Sequence, residues 1–381
     1  MFARLVAAAL SLLLPLLSWA APGAVAPTDP ARAAAVVYDE YGDPAAFDFS
    51  SIIAGIEKTP DVVLYPMASP PRNIELASST PTLRPSRSTA AGDDGNIVVL
   101  YPDVGEPYRS VFAKIIEGIE DRARGRTLAY AVGANQSSAE LVDELRRQGV
   151  RVVIALGRNG LKAAAGLDRD IGVVAGAVVS APEADMRGMI VHSLAPDPML
   201  LFDRLRAMMP GARRVFVVYD PRQNAWLLRL AREAARANGL ELVAQEAPDL
   251  KTAMRLYQEV VAGADPRRDA LWLPQDSVTV EESAVLPVVL QEAWNRGLAV
   301  FSSSVAHVKR GALFSLYPNN VELGRSLAGT AISQLTGNSG PARGVLPLKD
   351  VLMAVNVRTA SHLGLGVAHR QLSFDMVFPE Q

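Results

Sequence analysis

From residue 96 onwards, short continuous apolar runs alternate along the chain with segments of helical periodicity. The runs are rich in Val, Ile and Leu, as at 97–101, 151–156 and 214–219. Strands of a parallel sheet have this composition because helices cover both faces of the sheet. Strand–helix alternation is typical of α/β proteins, so the pattern predicts doubly wound parallel sheets.

The alternating units form two sets that divide near Ala195. The first set predicts strands at 97–101, 127–132, 151–156, 171–175 and 189–194, and helices at 108–124, 138–148 and 159–166. The second set predicts strands at 214–219, 240–246, 270–273 and 298–301, and helices at 198–209, 222–238, 250–262 and 281–296. The two sets share a pattern without a strong sequence repeat, which predicts two similar α/β lobes.

The N-terminus has the layout of a secretory signal peptide. Arg4 supplies a positive charge, residues 5–17 are apolar, and small residues offer cleavage near Ala20 or Ala26. The alternative is an uncleaved membrane anchor. However, the apolar run is shorter than the roughly 20 residues that a membrane span needs, and Pro15 interrupts it. We expect cleavage within residues 1–26 and a periplasmic protein.

Residues 27–95 differ from the rest of the chain. Four prolines stand among Ser, Thr, Arg and Gly between residues 68 and 95. Such a composition buries little apolar surface and is typical of a linker. We therefore interpret 27–95 as an N-terminal extension and linker, and expect the organised region to begin near Asn96.

Composition narrows the possible functions. The chain has 381 residues, 49% of them hydrophobic, which is enough for about two domains. A net charge of −2 argues against broad neutralisation of nucleic-acid phosphates. The chain contains no cysteine. This excludes thiol catalysis, cysteine-ligated metals, disulfides and a lipid-modified N-terminal cysteine.

Ligands of open α/β sheets bind beyond the carboxyl ends of the strands. The loops that follow the predicted strands therefore hold the candidate ligand-binding residues. In the first set these are Tyr101, Asp103, Tyr108, Arg158, Asn159 and Ser180. In the second set they are Tyr219, Gln223, Asn224, Trp226, Gln275, Asp276 and Ser302.

Each candidate also has a purely structural interpretation. A guanidinium such as that of Arg158 is suited to a carboxylate or phosphate, but it is equally suited to an ordinary surface position. Tyr108 and Trp226 are suited to stacking on a flat ligand or to packing in the first turn of a helix. Asp276 is suited to a ligand or to a helix cap. The sequence leaves these alternatives open.

Signatures of catalysis are missing from the sequence. The four histidines are scattered, with no two at metal-ligand spacing on one helix. His307, next to Lys309, is predicted to lie at the surface. Gly157 and Gly160 resemble a dinucleotide-binding turn only weakly, because the remaining glycine and the later acidic residue are missing. We expect neither an enzyme nor a metal or cofactor site.

Several stretches of the second half resemble one known family. They are Asp-Ala-Leu-Trp-Leu-Pro-Gln-Asp at 269–276, Val-Phe-Ser-Ser-Ser at 300–304, His-Val-Lys-Arg-Gly-Ala-Leu at 307–313 and Glu-Leu-Gly-Arg at 322–325. The segments 210–221 and 355–365 also match. In this order and spacing they resemble the substrate-binding proteins of one group of ABC transporters. The resemblance covers residues 96–366, and some relatives resemble binders of tryptophan or tyrosine.

The resemblance implies a type I periplasmic-binding-protein fold, in which two lobes joined by three crossings close on a ligand. The crossings would lie near 194–195, 301–304 and 340–346. Residues 313–317 would return to the first lobe and 351–357 to the second. The implied lobes are 96–194 with 303–342, and 195–302 with 343–381.

Two loops depart from the family pattern. Gly-Arg-Asn-Gly at 157–160 replaces the common Gly-Thr-Pro-Ala, and Val-Ser-Ala-Pro at 179–182 lacks the acidic residue of Thr-Asp-Pro. Both are ligand-contact positions of the first lobe in the family. An amino-acid ligand therefore does not follow from the resemblance.

The leading hypothesis is a monomeric periplasmic protein that binds a small polar or amino-acid-like solute for an ABC permease. In this hypothesis Asp276, Asn224 and Gln275 hold the ligand from the second lobe. Tyr101, Asp103, Arg158 and Ser180 hold it from the first. The alternative is a sensory or interaction protein whose diverged cleft signals to a membrane partner.

Overall fold

The computed structural model describes residues 97–124, 127–133, 138–168, 170–179, 188–337, 343–365 and 373–379. The predicted signal peptide, the extension up to residue 95, and Ser180 lie outside the described residues. Among the helices that the structure describes, none is long and apolar enough to cross a membrane.

The first lobe contains a six-stranded sheet in which every neighbouring pair is parallel. Its strands, numbered in chain order, are β1 (Ile97–Pro102), β2 (Thr127–Val132), β3 (Val152–Leu156), β4 (Gly172–Val178), β5 (Ile190–Pro196) and β11 (Gly344–Leu348). Its helices are α1 (Tyr108–Ala123), α2 (Ser138–Arg147), α3 (Gly157–Ala164) and α9 (Asn320–Thr336). The strand order is β11-β5-β4-β3-β1-β2.

The second lobe contains a seven-stranded sheet with the order β13-β12-β10-β9-β8-β6-β7. Its strands are β6 (Arg214–Tyr219), β7 (Glu241–Glu246), β8 (Asp269–Leu273), β9 (Ala299–Ser302), β10 (Phe314–Pro318), β12 (Val351–Asn356) and β13 (Met376–Phe378). Its helices are α4 (Pro198–Met208), α5 (Pro221–Ala237), α6 (Leu250–Gly263), α7 (Val285–Arg296), α8 (Val305–Arg310) and α10 (Val357–His362). Only β12 runs antiparallel to its neighbour β10 among the described pairs.

Both sheets repeat one strand order. Counted along the chain within each lobe, the first five strands are arranged 2-1-3-4-5. In such doubly wound sheets the direction of winding reverses between the first and third strands, and ligands bind beyond the carboxyl ends at that point. The reversal lies between β1 and β3 in the first lobe and between β6 and β8 in the second. The predicted α/β class with two doubly wound lobes is confirmed.

The central strands are buried along their whole length, as the continuous apolar runs predict. Every residue of β1, β3 and β8 is buried. Separate apolar clusters cover the two faces of each sheet, so each lobe has its own core. Aspartates or asparagines accept hydrogen bonds from the first turns of several helices. Asp220 caps α5 and Asp249 caps α6 in this way.

Three short segments connect the lobes. They are Asp197 between β5 and α4, Asn319 between β10 and α9, and residues 349–350 between β11 and β12. The Asp197 backbone N–H donates to the carbonyl of Leu348 at 2.9 Å, and that of Asn319 donates to the carbonyl of Asp350 at 2.9 Å. The crossings therefore form one hydrogen-bonded unit.

The structure corrects the predicted positions of two of the crossings. The segment 313–317 was expected in the first lobe, but β10 pairs with β9 and β12 of the second sheet. The helix α8, which the sequence analysis did not predict, joins β9 to β10. A strand that follows its neighbour through so short a connection usually lies beside it. The second crossing is therefore at Asn319 and not at 301–304.

The third crossing also lies further along the chain than predicted. The strand β11 pairs in parallel with β5 of the first sheet, from Gly344 opposite Ile190 to Leu348 opposite Pro196. Residues 344–348 therefore belong to the first lobe, although the sequence analysis placed everything after residue 342 in the second. The segment 351–357 begins in the second sheet as β12, as expected.

Helix α9 is seated on the first lobe by glycines. A Cβ atom on Gly118 of α1 would lie 2.0 Å from the carbonyl oxygen of Val321, and a Cβ on Gly324 would lie 2.0 Å from that of Ile115. The two backbones are thus closer than any side chain would allow. Arg325 adds an ion pair across the same helices, with its Nε 2.8 Å from Asp121 Oδ2. The Glu-Leu-Gly-Arg motif at 322–325 therefore serves helix packing.

His192 of β5 connects the first sheet to α9. Its Nε2 lies 3.0 Å from Thr330 Oγ1, and the Thr330 hydroxyl lies 3.2 Å from the carbonyl oxygen of Ser326. Because the hydroxyl donates to that carbonyl, the histidine donates its Nε2 proton to the hydroxyl. Burial lowers the pKa of His192 to about 4, although the charge of Asp350 opposes the shift.

We expect Gly324→Ala to destabilise the protein by about 3 kcal/mol, because the new methyl group would overlap backbone atoms that cannot move without separating α1 from α9. Urea unfolding would measure the change. Gly329→Ala is the matched control, since it lies in the same helix and its Cβ would have no atom within 4 Å. That variant should gain up to about 1 kcal/mol from the helix propensity of alanine. Equal effects of the two substitutions would contradict the close-packing argument.

We expect His192 to make the fold acid-sensitive. Its pKa is about 4 in the folded protein against an ordinary value of 6.5, so between these values the unfolded chain binds a proton that the fold excludes. The free energy of unfolding should therefore fall by about 1.4 kcal/mol for each pH unit below 6.5, for this group alone. His192→Gln keeps a donor for Thr330 and does not titrate. Urea unfolding at pH 7, 6 and 5 should give a shallower pH dependence for the variant, and identical slopes would refute this role.

Candidate functional site

The end of β1 forms the first-lobe part of the candidate site. Tyr101 is buried in the core of this lobe, while Asp103 is exposed just beyond the strand. Burial raises the pKa of the Tyr101 hydroxyl, and the negative charge of Asp103 adds to the effect. Both residues line a small cavity together with Arg109, Phe112 and three neighbours (Pro102, Val104 and Ala131).

The end of β3 brings Arg158 and Asn159 to the same edge of the sheet. Both are half-buried in the first turn of α3. Gly157 before them has a φ of +64°, which favours glycine. A Cβ on Gly160 would lie 2.8 Å from the carbonyl oxygen of Leu100. The two glycines therefore let α3 approach β1 closely, which explains the Gly-x-x-Gly spacing without a nucleotide.

Asp276 is the centre of the corresponding loops in the second lobe. It is 5% exposed and follows β8. Its Oδ2 accepts the backbone N–H of Asp220 at 2.7 Å and the Asn224 side-chain amide at 3.0 Å. Its Oδ1 accepts the backbone N–H groups of Val278 at 3.0 Å and Thr279 at 2.8 Å. Four donors, two from the residues that follow β6 and two from those that follow β8, thus satisfy this carboxylate.

Asp220, at the end of β6, is also satisfied from within the protein. Its carboxylate is 2.8 Å from Arg222 Nη2 and 3.3 Å from Gln223 Nε2. Burial opposes ionisation of Asp220, but the hydrogen bonds from Arg222 and Gln223 outweigh it and hold the pKa below its ordinary value. The Gln223 Oε1 in turn accepts from Ser277 N–H and Oγ–H at 3.3 and 3.2 Å. These residues bind the β6 and β8 loops to each other.

Three aromatic candidates pack against the cores. The Tyr219 hydroxyl donates to Glu246 Oε1 at 2.8 Å, and its ring belongs to the core of the second lobe. Trp226 is half-buried against the same core. Tyr108 is half-buried against the core of the first lobe. In this structure their rings contribute to packing.

The end of β9 carries three serines in different environments. Ser302 Oγ lies 2.7 Å from His307 Nδ1 and accepts the backbone N–H of Ser304 at 3.0 Å. Ser303 Oγ accepts the Trp272 indole N–H at 3.0 Å. Ser304 is 1% exposed, and its hydroxyl has no hydrogen-bond partner among the residues that the structure describes. The first two serines therefore shape the loop, and the third has unused hydrogen-bonding capacity.

His307 corrects one prediction. It was expected at the surface, but it is only 4% exposed, on the buried side of α8. The run Val-Ala-His-Val-Lys-Arg forms the helix α8, which turns His307 inward while Lys309 remains outside. Burial, together with the nearby charge of Arg310, lowers the pKa of His307 to about 3, so its ring is neutral. The neutral ring is within hydrogen-bond distance of the Ser302 hydroxyl and helps to fix its position.

Gln275 is another residue at this edge whose side-chain hydrogen-bonding capacity is unused. It follows β8 by two residues and is 8% exposed. Its backbone carbonyl accepts the Asn224 side-chain amide at 3.1 Å. Its own side-chain oxygen and nitrogen are buried without a partner in the described part of the chain. Gln275 and Ser304 therefore stand out from the other candidates in the second lobe.

The described candidates thus lie near the carboxyl edges of the two sheets and differ in how fully their polar groups are hydrogen-bonded. Asn224 bonds to Asp276 and to the backbone carbonyl of Gln275, while the Gln275 side chain has no partner in the described part of the chain. Ser304 was missed by the sequence analysis, although the run of three serines after a predicted strand pointed to this loop. In the described parts of the chain, no three metal-ligating side chains cluster to hold an ion.

Comparison with known proteins identifies the family. Residues 118–373 match the family described as ABC transporter substrate binding protein. No curated protein matches the sequence. A substrate-binding protein with adhesive properties from Clostridium difficile, in its ligand-free, open structure, is 18% identical, with a TM-score of 0.54. The alignment covers 74% of this chain and 99% of that one.

Two further solved structures are less similar. A domain from Streptococcus pneumonia in complex with L-Trp is 17% identical over 74% of this chain and 99% of that one, with a TM-score of 0.44. A conserved domain protein from Vibrio cholerae is 18% identical over 71% and 95% of the two chains, with a TM-score of 0.43. The match to the family covers more than half of the chain, and the two sheets have the architecture of a type I periplasmic-binding protein. The chain therefore belongs to the substrate-binding proteins of ABC transporters.

Proposed function

We propose that this protein binds a small polar solute in the periplasm, closes its two lobes around it and delivers it to an ABC permease. The observation that carries the proposal is the matched pair of winding reversals. In the first lobe the reversal lies between β1 and β3, and in the second between β6 and β8. The loops that follow these strands lie at the edge of the sheet where such folds bind ligands. Three short crossings that hydrogen-bond to one another provide a hinge between them.

The proposed contacts come from both lobes. Asp103, Arg158 and Asn159 are first-lobe candidates with exposed or half-buried side chains, and Ser180 comes two residues after β4 in the sequence. Gln275 is the proposed contact from the second lobe. Asp276, Asn224 and Gln223 contribute indirectly, because their hydrogen bonds hold the loop that carries Gln275.

Ligand-induced closure would distinguish this function from the alternative of a sensory protein with an inactive cleft. Binding stabilises the closed arrangement only through contacts that the open one lacks, so a true ligand should change the distance between the lobes. Since the chain has no cysteine, two introduced cysteines can be labelled without background. Arg151 and Arg236 are exposed positions on different lobes.

We expect fluorescence energy transfer between labels at Arg151→Cys and Arg236→Cys to change saturably with a solute from a panel of amino acids, sugars, polyamines and dicarboxylates. At 100 times its dissociation constant the same solute should stabilise the fold by about 2.7 kcal/mol. Labels at Arg122→Cys and Arg151→Cys, both exposed on the first lobe, form the control and should not respond. A panel without any response, together with capture of a membrane sensor, would favour the alternative function.

A further inference from the structure

We propose that Gln275 and Ser304 form an uncharged subsite through which the second lobe recognises a hydroxyl or amide group of the solute. The proposal rests on the proposed solute-binding function and specifies the chemistry of its ligand. It begins from three buried atoms that have no hydrogen-bond partner among the described residues, Gln275 Oε1, Gln275 Nε2 and Ser304 Oγ. A buried polar group without a hydrogen bond destabilises a fold, so a partner from outside the chain is expected.

The two residues occupy equivalent places on neighbouring strands. In the β8–β9 pair, Leu273 lies opposite Ser302. Gln275 and Ser304 each follow these residues by two positions. The chains remain adjacent beyond the strands, since the Ser303 backbone N–H donates to the Leu273 carbonyl at 3.0 Å. The unpaired groups thus lie at one edge of the sheet, where a ligand of this fold binds.

The surrounding groups are fixed by bonds within the protein. Ser302 Oγ holds the Ser304 backbone N–H at 3.0 Å and is itself 2.7 Å from His307 Nδ1. The Asn224 amide holds the Gln275 carbonyl at 3.1 Å. Both backbones are therefore anchored, while the side-chain polar atoms are not. This arrangement is typical of a preorganised recognition site.

Charge determines which ligand group fits. The nearby carboxylates have their acceptor sites occupied, because Asp276 accepts four hydrogen bonds and Asp220 is paired with Arg222. An ammonium or carboxylate placed against Gln275 would lose its hydration without gaining a direct ion pair with either carboxylate. A hydroxyl or an amide both donates and accepts, as do the side chains of Gln275 and Ser304.

Unfolding of the ligand-free protein tests whether the polar atoms of Gln275 and Ser304 lack hydrogen-bond partners within the protein. Gln275→Met and Ser304→Ala should leave the urea midpoint unchanged or raise it, because they remove unpaired polar atoms. The matched controls are Gln223→Met and Ser302→Ala, whose polar atoms have partners within the protein. Both controls should lower the midpoint. A loss of stability in Gln275→Met or Ser304→Ala equal to that of its control would overturn the proposal.

Titration calorimetry tests the chemistry with D-ribose, L-tryptophan, putrescine and succinate as probes. A probe that binds the wild type through a hydroxyl or amide should bind Gln275→Met about tenfold more weakly, and Gln275→Glu should not restore it. Unchanged affinity in Gln275→Met, or tighter binding of putrescine or L-tryptophan to Gln275→Glu, would overturn the uncharged subsite while leaving solute binding intact. If none of the probes binds, the proposed function loses support. The unfolding experiment still decides whether the side chains of Gln275 and Ser304 lack partners within the protein.

Discussion

The contact between Gly118 and Gly324 is the constraint on which the two-lobed architecture depends. Helix α9 follows a strand of the second lobe, yet its backbone lies directly on α1 of the first. Helix backbones approach this closely only where both lack a side chain at the crossing. Because α9 is seated there, the chain must leave the second sheet at Asn319 and return to it at β12. The crossings between the lobes are therefore positioned by helix packing in the first lobe, and backbone hydrogen bonds then connect the crossings to one another.

Much of the fold could be predicted from the sequence because parallel strands are buried on both faces. The runs that form β1 and β6 contain few polar residues, so their identity as strands does not depend on partners far away in the chain. The apolar pattern did not predict which of the two sheets β10 joins. Its residues would be equally apolar in either core. The deciding feature is the six-residue helix α8, whose short length keeps β10 beside β9.

The candidate site was predictable in place and not in detail. The rule that ligands bind beyond the carboxyl ends of strands led to Asp276 and Gln275, two adjacent residues of similar polarity. Their different environments arise from partners that lie far away in sequence, since Asp220 and Asn224 precede Asp276 by 56 and 52 residues. Sequence spacing cannot show that one side chain is saturated and its neighbour is not. The same limit applies to Ser302 and Ser304, which differ through a buried histidine.

Among the described residues of the second lobe, the carboxylate of Asp276 is fully hydrogen-bonded while the side chains of Gln275 and Ser304 are not, and the energetics of buried charge explain this difference. A buried carboxylate needs several hydrogen-bond donors, and Asp276 obtains them from the backbone and from Asn224. Once its acceptor sites are filled, it fixes the loops but has little left to offer a solute. Neutral side chains can remain unpaired in the same place at a much smaller energetic cost. A binding edge built on buried carboxylates therefore tends to leave recognition to uncharged groups, which accounts for finding the unused hydrogen-bonding capacity on a glutamine and a serine.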